Sequence, residues 1–315
     1  MLGDKIKKYR ENKNMTQNEI ADILEVSTAT VSKYESGALE PSIESLKRLS
    51  ELFGISVDDL LKDENNKFDI SKINVLEVLR EQKEMRLKGN LYHNTQISFA
   101  YNTNHIEGSR LTEEQTRNIF ETNTILFAGD TVASVDDILE TANHFRLVDY
   151  MLEIANEDLK EDLIKEFHKI LKAGTADSKN ALFNVGEYKL LANEVGGTST
   201  TTPKFVQRDM AKLLSWYNNL SKVTINEIIE FHAKFEKIHP FQDGNGRIGR
   251  IILFKECLKN NIIPFIILDK DKVFYYRGLK EYLNGKEKGY LIDTCLNAQD
   301  QYIEMIKYYL GNNKE

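Results

Sequence analysis

Residues 239–250 read His-Pro-Phe-Gln-Asp-Gly-Asn-Gly-Arg-Ile-Gly-Arg, which sets an imidazole, a carboxylate, two amides and two guanidinium groups into one short loop and the turn after it. Gly244 and Gly246 let the backbone pass close to a ligand. The apolar positions Ile248, Ile251, Ile252 and Phe254 predict a helix from about Asn245 to about Asn260. Anionic oxygens suit the unpaired N–H groups at the start of such a helix. Arg247 and Arg250, three apart, share a face and offer planar, permanently charged forks. Asp243 suits Mg²⁺, which takes one or two carboxylates together with phosphate oxygens. His239 carries a side chain that titrates near neutrality and so can take a proton from a hydroxyl. Together these groups are the equipment for holding a nucleotide polyphosphate.

The stretch resembles the Fic family signature, HxFx(D/E)GNGRxxR, at every specified position. That resemblance implies transfer of AMP from Mg-ATP to a protein hydroxyl, with His239 as base and Asp243 as metal ligand. Gly244, Asn245, Gly246, Arg247 and Arg250 would face the phosphates. The Doc toxins, a kinase-like branch of the same superfamily, have Lys where this chain has Gly246, which favours nucleotide transfer over phosphate transfer. Taken singly, a His before Pro or an Asp-Gly pair is an ordinary helix end or turn; it is their combination that carries the reading.

Upstream, a helix running from about Leu91 to Glu107 stops at Gly108. Thr103 and Glu107 are i and i+4 and share a face, and a carboxylate at the negative end of a helix wants a cation nearby. Thr103-Asn-His-Ile-Glu-Gly108 resembles the Fic inhibitory motif, (S/T)xxxE(G/N). The resemblance implies that Glu107 pairs with Arg250 and blocks the productive ATP pose. The same site in the family also runs the reverse chemistry, in which Glu107 would position a water that removes AMP, so transfer and removal both stay open.

Downstream, Tyr275-Tyr-Arg-Gly-Leu279 resembles the family's YYxxL, which makes Tyr275 and Leu279 candidates for one wall of a base pocket. Asn284 lies one position beyond the place where family members often carry an Asn. Residues 174–203 lose helical periodicity and gain Gly, Ser and Thr. Tyr188–Leu191 and Glu194–Val195 read as the two arms of a hairpin or flap. Gly186-Glu-Tyr-Lys189 resembles the family's G-x-Y-R with Lys as the last residue. His144 and His168 fall on apolar helical faces and read as core or surface histidines.

The first 61 residues read as five short helices. Thr16-Gln-Asn-Glu19 is a capping box, Ser27 caps the helix that follows, and Gly37 closes it. Two short helices joined by a tight turn describe a helix-turn-helix. This part resembles the Cro/Xre repressor family through Met15-Thr-Gln-Asn-Glu-Ile-Ala21 and Ser27-Thr-Ala-Thr-Val-Ser-Lys-Tyr-Glu-Ser-Gly37. The resemblance implies Thr28, Ala29 and Lys33 in a major groove and Gln17 on a phosphate; if the site is a palindrome, a homodimer is expected on it. Against this, residues 1–63 hold nine Lys or Arg and twelve Asp or Glu, a net of −3, which is poor for phosphate affinity. A role in docking protein therefore stays open beside DNA binding.

The whole chain of 315 residues is 41% apolar with a formal charge of −7, which argues against a coat for nucleic acid or anionic membrane. Its two cysteines, Cys257 and Cys295, lie far apart and read as reduced thiols. The charged N-terminus lacks the apolar run of a signal peptide, and the longest apolar run, Ile262–Leu268, is too short to span a bilayer. The expectation is a cytoplasmic, all-α protein with a short β-hairpin. It has a helix-turn-helix domain at 1–63, a linker and motif-bearing helices at 64–110, and a Fic catalytic domain at 111–315. Its ligands would be ATP and Mg²⁺, and its partners a target protein (itself included) and DNA.

Overall fold

The computed structural model describes residues 2–61, 68–127, 132–195, 198–285 and 287–311. It divides into two compact units, 1–69 and 70–315, and the helices of 70–110 belong to the second. The polar run 62–67, around the expected start of the linker, lies outside the described residues, as do Gly196 and Gly197.

In the first unit, α1 (Leu2–Asn12), α2 (Gln17–Leu24), α3 (Thr28–Glu35), α4 (Ile43–Phe53) and α5 (Val57–Leu61) follow the expected order. Local chemistry sets their limits. Thr16 and Glu19 exchange hydrogen bonds in a full capping box, Ser27 and Ser42 accept from the third residue of their helices, and Gly54 ends α4 in the left-handed region. Ile6, Ile20, Leu24, Val31, Leu49, Phe53 and Leu60 form the core. Each such side chain contributes roughly 1.5–3 kcal/mol on burial. Gly3 has a packing reason: a Cβ there would lie 2.4 Å from the Glu35 carbonyl oxygen, so only glycine lets α1 reach the end of α3.

The second unit begins with α6 (Val75–Met85), α7 (Leu91–Ile106), α8 (Glu113–Thr122), α9 (Val135–Glu153) and α10 (Glu161–Leu171). After the hairpin come α11 (Pro203–Asn218), α12 (Ile225–Ile238), α13 (Asn245–Lys259), α14 (Lys272–Leu283) and α15 (Gly289–Ile306). Helix α13 is the centre, buried from Ile248 to Leu258 without a break, with α6, α7, α9, α10 and α12 against it. A helix buried on every face must satisfy its polar groups internally. Lys255 accordingly donates to Glu256, whose second oxygen accepts from the Tyr217 hydroxyl.

Asn74 caps α6, Arg86 turns left-handed after Met85, and Asn90 caps α7. One expectation is corrected. The hairpin pairs Glu194 with Ser199 and Val195 with Thr198, so Tyr188–Leu191 is not an arm. That stretch instead runs against the loop that follows α12, where the Lys189 N–H donates to the Pro240 carbonyl at 2.8 Å. Backbone pairing found a partner distant in sequence, which alternation alone does not reveal.

Candidate active site

Helix α12 delivers His239. A capping box of Thr224 and Glu227 starts the helix, and its buried face of Ile228, Phe231, His232 and Phe235 fixes it in the core. His239 ends it in the left-handed region (φ 52°), and Pro240 cannot continue it. Burial, with help from the Lys189 charge, pulls the His239 imidazole down to about 4, so it is a free base at neutral pH.

The loop after His239 is braced from inside. The Asn245 side chain accepts from the Phe241 N–H at 2.8 Å and donates to the Phe241 carbonyl at 2.9 Å. Asn245, expected on the phosphates, is thus a loop clasp and is buried. His168 stacks on Phe241 at 4.0 Å and its Nδ1 accepts from the Gly186 N–H, which makes Nε2 the donor to the Asp243 carbonyl at 3.1 Å. Burial and the Lys172 charge pull His168 down to about 3, so it stays neutral in this work of support. The sequence placed His168 on an apolar face, and nothing in its spacing linked it to a loop seventy-five residues away.

The charged side chains form two groups. In the first, Arg247 pairs with Glu140 of α9 and, at 3.0 Å, with Asp243 Oδ2. Lys172 also reaches Asp243 Oδ2, at 2.6 Å. Burial alone would raise the Asp243 carboxyl, but Arg247 and Lys172 hold it well below the usual carboxylate range. An ionised, half-exposed carboxylate is a chemically suitable Mg²⁺ ligand. Arg247, expected to face phosphates, is buried with both terminal nitrogens on carboxylates.

In the second group, Arg250 Nε donates to Thr103 Oγ1 at 2.6 Å, and Nη2 donates to Glu107 Oε1 at 2.6 Å and to the Thr103 carbonyl at 3.1 Å. Burial works against the Arg250 charge, yet Glu107 more than restores it and raises the group above its ordinary range. Arg250 Nη1 is buried without a partner. Gly246 lies so close that a Cβ would stand 2.2 Å from Glu107 Oε1 and 3.0 Å from Arg250 Nη1.

A cavity of about 970 Å³ is lined by Glu107, His239, Gly246, Arg250, Tyr275 and Leu279 and by the hairpin residues Glu194 and Val195; Asp243 and Arg247 of the first group are not among its lining residues. Tyr275 is almost wholly buried and hydrogen-bonds His232 through its hydroxyl at 2.6 Å, so only a sliver of its ring meets the cavity. Asn284 also lines it, on the exposed side. Glu236, overlooked in the sequence, is buried there with Oε1 unpartnered, and burial pushes its carboxyl up to about 8. Gly244, left-handed at φ 80°, leads into α13 against His168.

In the first unit, Thr28, Ala29 and Lys33 lie exposed on α3. Gln17 donates to Glu35 at 2.8 Å, inside a pair that Glu35 makes with Arg10 at 2.6 Å. Thr28 donates to Asn18 at 2.6 Å.

Residues 158–256 match the Fic/DOC family and residues 6–60 match a helix-turn-helix family. The chain is 27% identical over 189 residues to a protein adenylyltransferase, fic-1, of Caenorhabditis elegans, covering 59% of this chain but only 36% of that protein. It is 38% identical over 73 residues to the HTH-type transcriptional regulator YonR of Bacillus subtilis, covering 23% of this chain and 68% of the regulator. Among solved structures, a Fic-domain signaling protein of Bacteroides thetaiotaomicron superposes with a TM-score of 0.60 at 21% identity, over 77% of this chain and 100% of that one. The third of these shares the fold of the second unit. The chain therefore joins an N-terminal domain of the helix-turn-helix family to a domain of the Fic/DOC family.

Proposed function

We propose that this protein is a nucleotidyltransferase, a protein adenylyltransferase that moves AMP from Mg-ATP to a Ser, Thr or Tyr hydroxyl and is held off by its own Glu107. The observation that carries the reading is one cavity shared by a neutral, deeply set imidazole at His239 and a buried arginine at Arg250 that Glu107 already grips.

His239 would take the proton of the target hydroxyl as its oxygen bonds to the α-phosphorus, and the bond from that phosphorus to the bridging oxygen would break to release pyrophosphate. Asp243 would hold Mg²⁺, whose charge offsets that of the polyphosphate. Backbone N–H groups at the start of α13, close to Gly246, would face the developing charge. Arg250, once free of Glu107, would grip the outer phosphates. The hairpin on the cavity rim offers backbone to pair with a target segment.

The test uses ATP labelled at the α-phosphate, with the intact protein, Glu107→Gly and His239→Ala. Label on protein in Glu107→Gly and none in His239→Ala supports the reading. An unlabelled Glu107→Gly in an extract that supplies targets would sink transfer and leave removal of AMP as the reaction to assay.

A second reading concerns residues 1–63. The likeness to a transcriptional regulator and the exposed Thr28, Ala29 and Lys33 favour a DNA-binding role for this unit, with the enzyme domain modifying it or sensing nucleotide on its behalf. Gln17 would need to leave Glu35 to touch a phosphate with its side chain. Mobility shifts with the chain's own upstream DNA, for the intact protein and Lys33→Ala, test this; an unchanged shift in the variant removes Lys33 from the interface.

A further inference from the structure

Lys172 follows the last turn of α10, where a lysine usually serves the negative end of the helix. Its ammonium does something else. The three N–H donors meet three carboxylates from three segments: Glu140 Oε1 of α9 at 2.5 Å, Asp177 Oδ2 at 2.5 Å and Asp243 Oδ2 at 2.6 Å. These carboxylates can place one oxygen each within 4.8 Å of one another, the spacing of a ligand set around a cation. The lysine is 2% exposed. Water cannot easily replace it.

We infer that Lys172 is a built-in counter-ion that keeps the nucleotide-free Asp243 site closed to divalent cations. The inference rests on Asp243 being the metal ligand of the proposed reaction. Asp243 Oδ2 already receives Lys172 at 2.6 Å and Arg247 at 3.0 Å, so an ion bound to that carboxylate sits close to two positive charges. The repulsion is strong at such range in a half-buried setting. Among Glu140, Asp177 and Asp243, the two cations leave one net negative charge. A polyphosphate supplies the missing negative charge and would carry the ion in with it. Lys172 therefore positions Asp243 and sets its cation affinity without touching substrate.

The experiment titrates Mn²⁺ into the full chain without nucleotide and reads the free-ion signal by electron paramagnetic resonance. The intact protein and Lys172→Arg are expected to bind weakly. Lys172→Met is expected to bind about tenfold or more tightly, because one of the two adjacent positive charges is gone. The double variant Lys172→Met with Asp243→Asn should return to weak binding. Equal affinity in the intact protein and Lys172→Met overturns the inference, as does tight binding that survives loss of Asp243. Should Lys172→Met fail to fold by circular dichroism, the intact chain and Lys172→Arg still decide: binding in the micromolar range without nucleotide overturns it. Labelling by Glu107→Gly is scored separately, so a failed enzyme reading and a failed counter-ion reading give different results.

Discussion

Glu107 Oε1 stands 2.6 Å from Arg250 Nη2, joining the end of α7 to the first turns of α13 across 143 residues of chain. The guanidinium is 3% exposed, so the pair is a buried one on the arginine side. Removing one partner from such a pair leaves a charge seeking another. Glu107→Gly is expected to free Arg250 and raise labelling with α-labelled ATP by about tenfold or more, a factor that corresponds to loss of one charge-assisted hydrogen bond. Equal labelling in the intact protein and the variant would remove Glu107 from control.

Thr103 grades the same effect. Its hydroxyl takes Arg250 Nε at 2.6 Å, while its backbone carbonyl takes Nη2. Thr103→Val keeps the shape and the carbonyl but loses the hydroxyl. Labelling is expected to rise by less than in Glu107→Gly, and a rise as large as that would mean that the Thr103 hydroxyl restrains the arginine as strongly as Glu107 does.

The acid limb of the reaction reports His239. Burial lowers its imidazole to about 4, so the neutral base persists as the pH falls. In the Glu107→Gly background, single-turnover labelling should stay nearly level between pH 7 and pH 5.5. An unperturbed imidazole would lose about tenfold over that interval. A loss of that size would show that the base is solvated or is another group.

Glu236 gives a stability signature. Its folded pKa, about 8, lies above the value of an exposed glutamate, so the unfolded chain releases its proton first. Unfolding is then favoured progressively as pH rises from roughly 4.5 toward 8. Glu236→Gln should melt like the intact protein at pH 4.5 and increasingly above it toward pH 8. A constant difference in Tm across that range would mean that the carboxyl is not held neutral.

Leu49 is fully buried in the first unit. Leu49→Ala should destabilise that unit by about 2–5 kcal/mol. Urea unfolding is expected to show an early transition for residues 1–69 with labelling activity retained by Glu107→Gly/Leu49→Ala. Simultaneous loss of both would show that the two units unfold as one.

The sequence by itself determined the helices and their ends. Capping boxes at Thr16, Thr112 and Thr224 and the caps at Ser27 and Ser42 act over three residues, so a local reading sees both partners. The continuous apolar run of α13 and its glycine-rich start were legible for the same reason. Tertiary structure decided which groups share a cavity and which side chains are already engaged. Asn245 closes its own loop, Arg247 is taken by Glu140 and Asp243, and His168 and Lys172 brace that loop from α10 and the residue after it. The hairpin register belongs with these, since Lys189 pairs with Pro240 instead of with a neighbouring strand. Hydrogen bonds of fixed reach between segments tens of residues apart depend on how helices pack, and helical periodicity carries the face of each helix but not the partner that covers it.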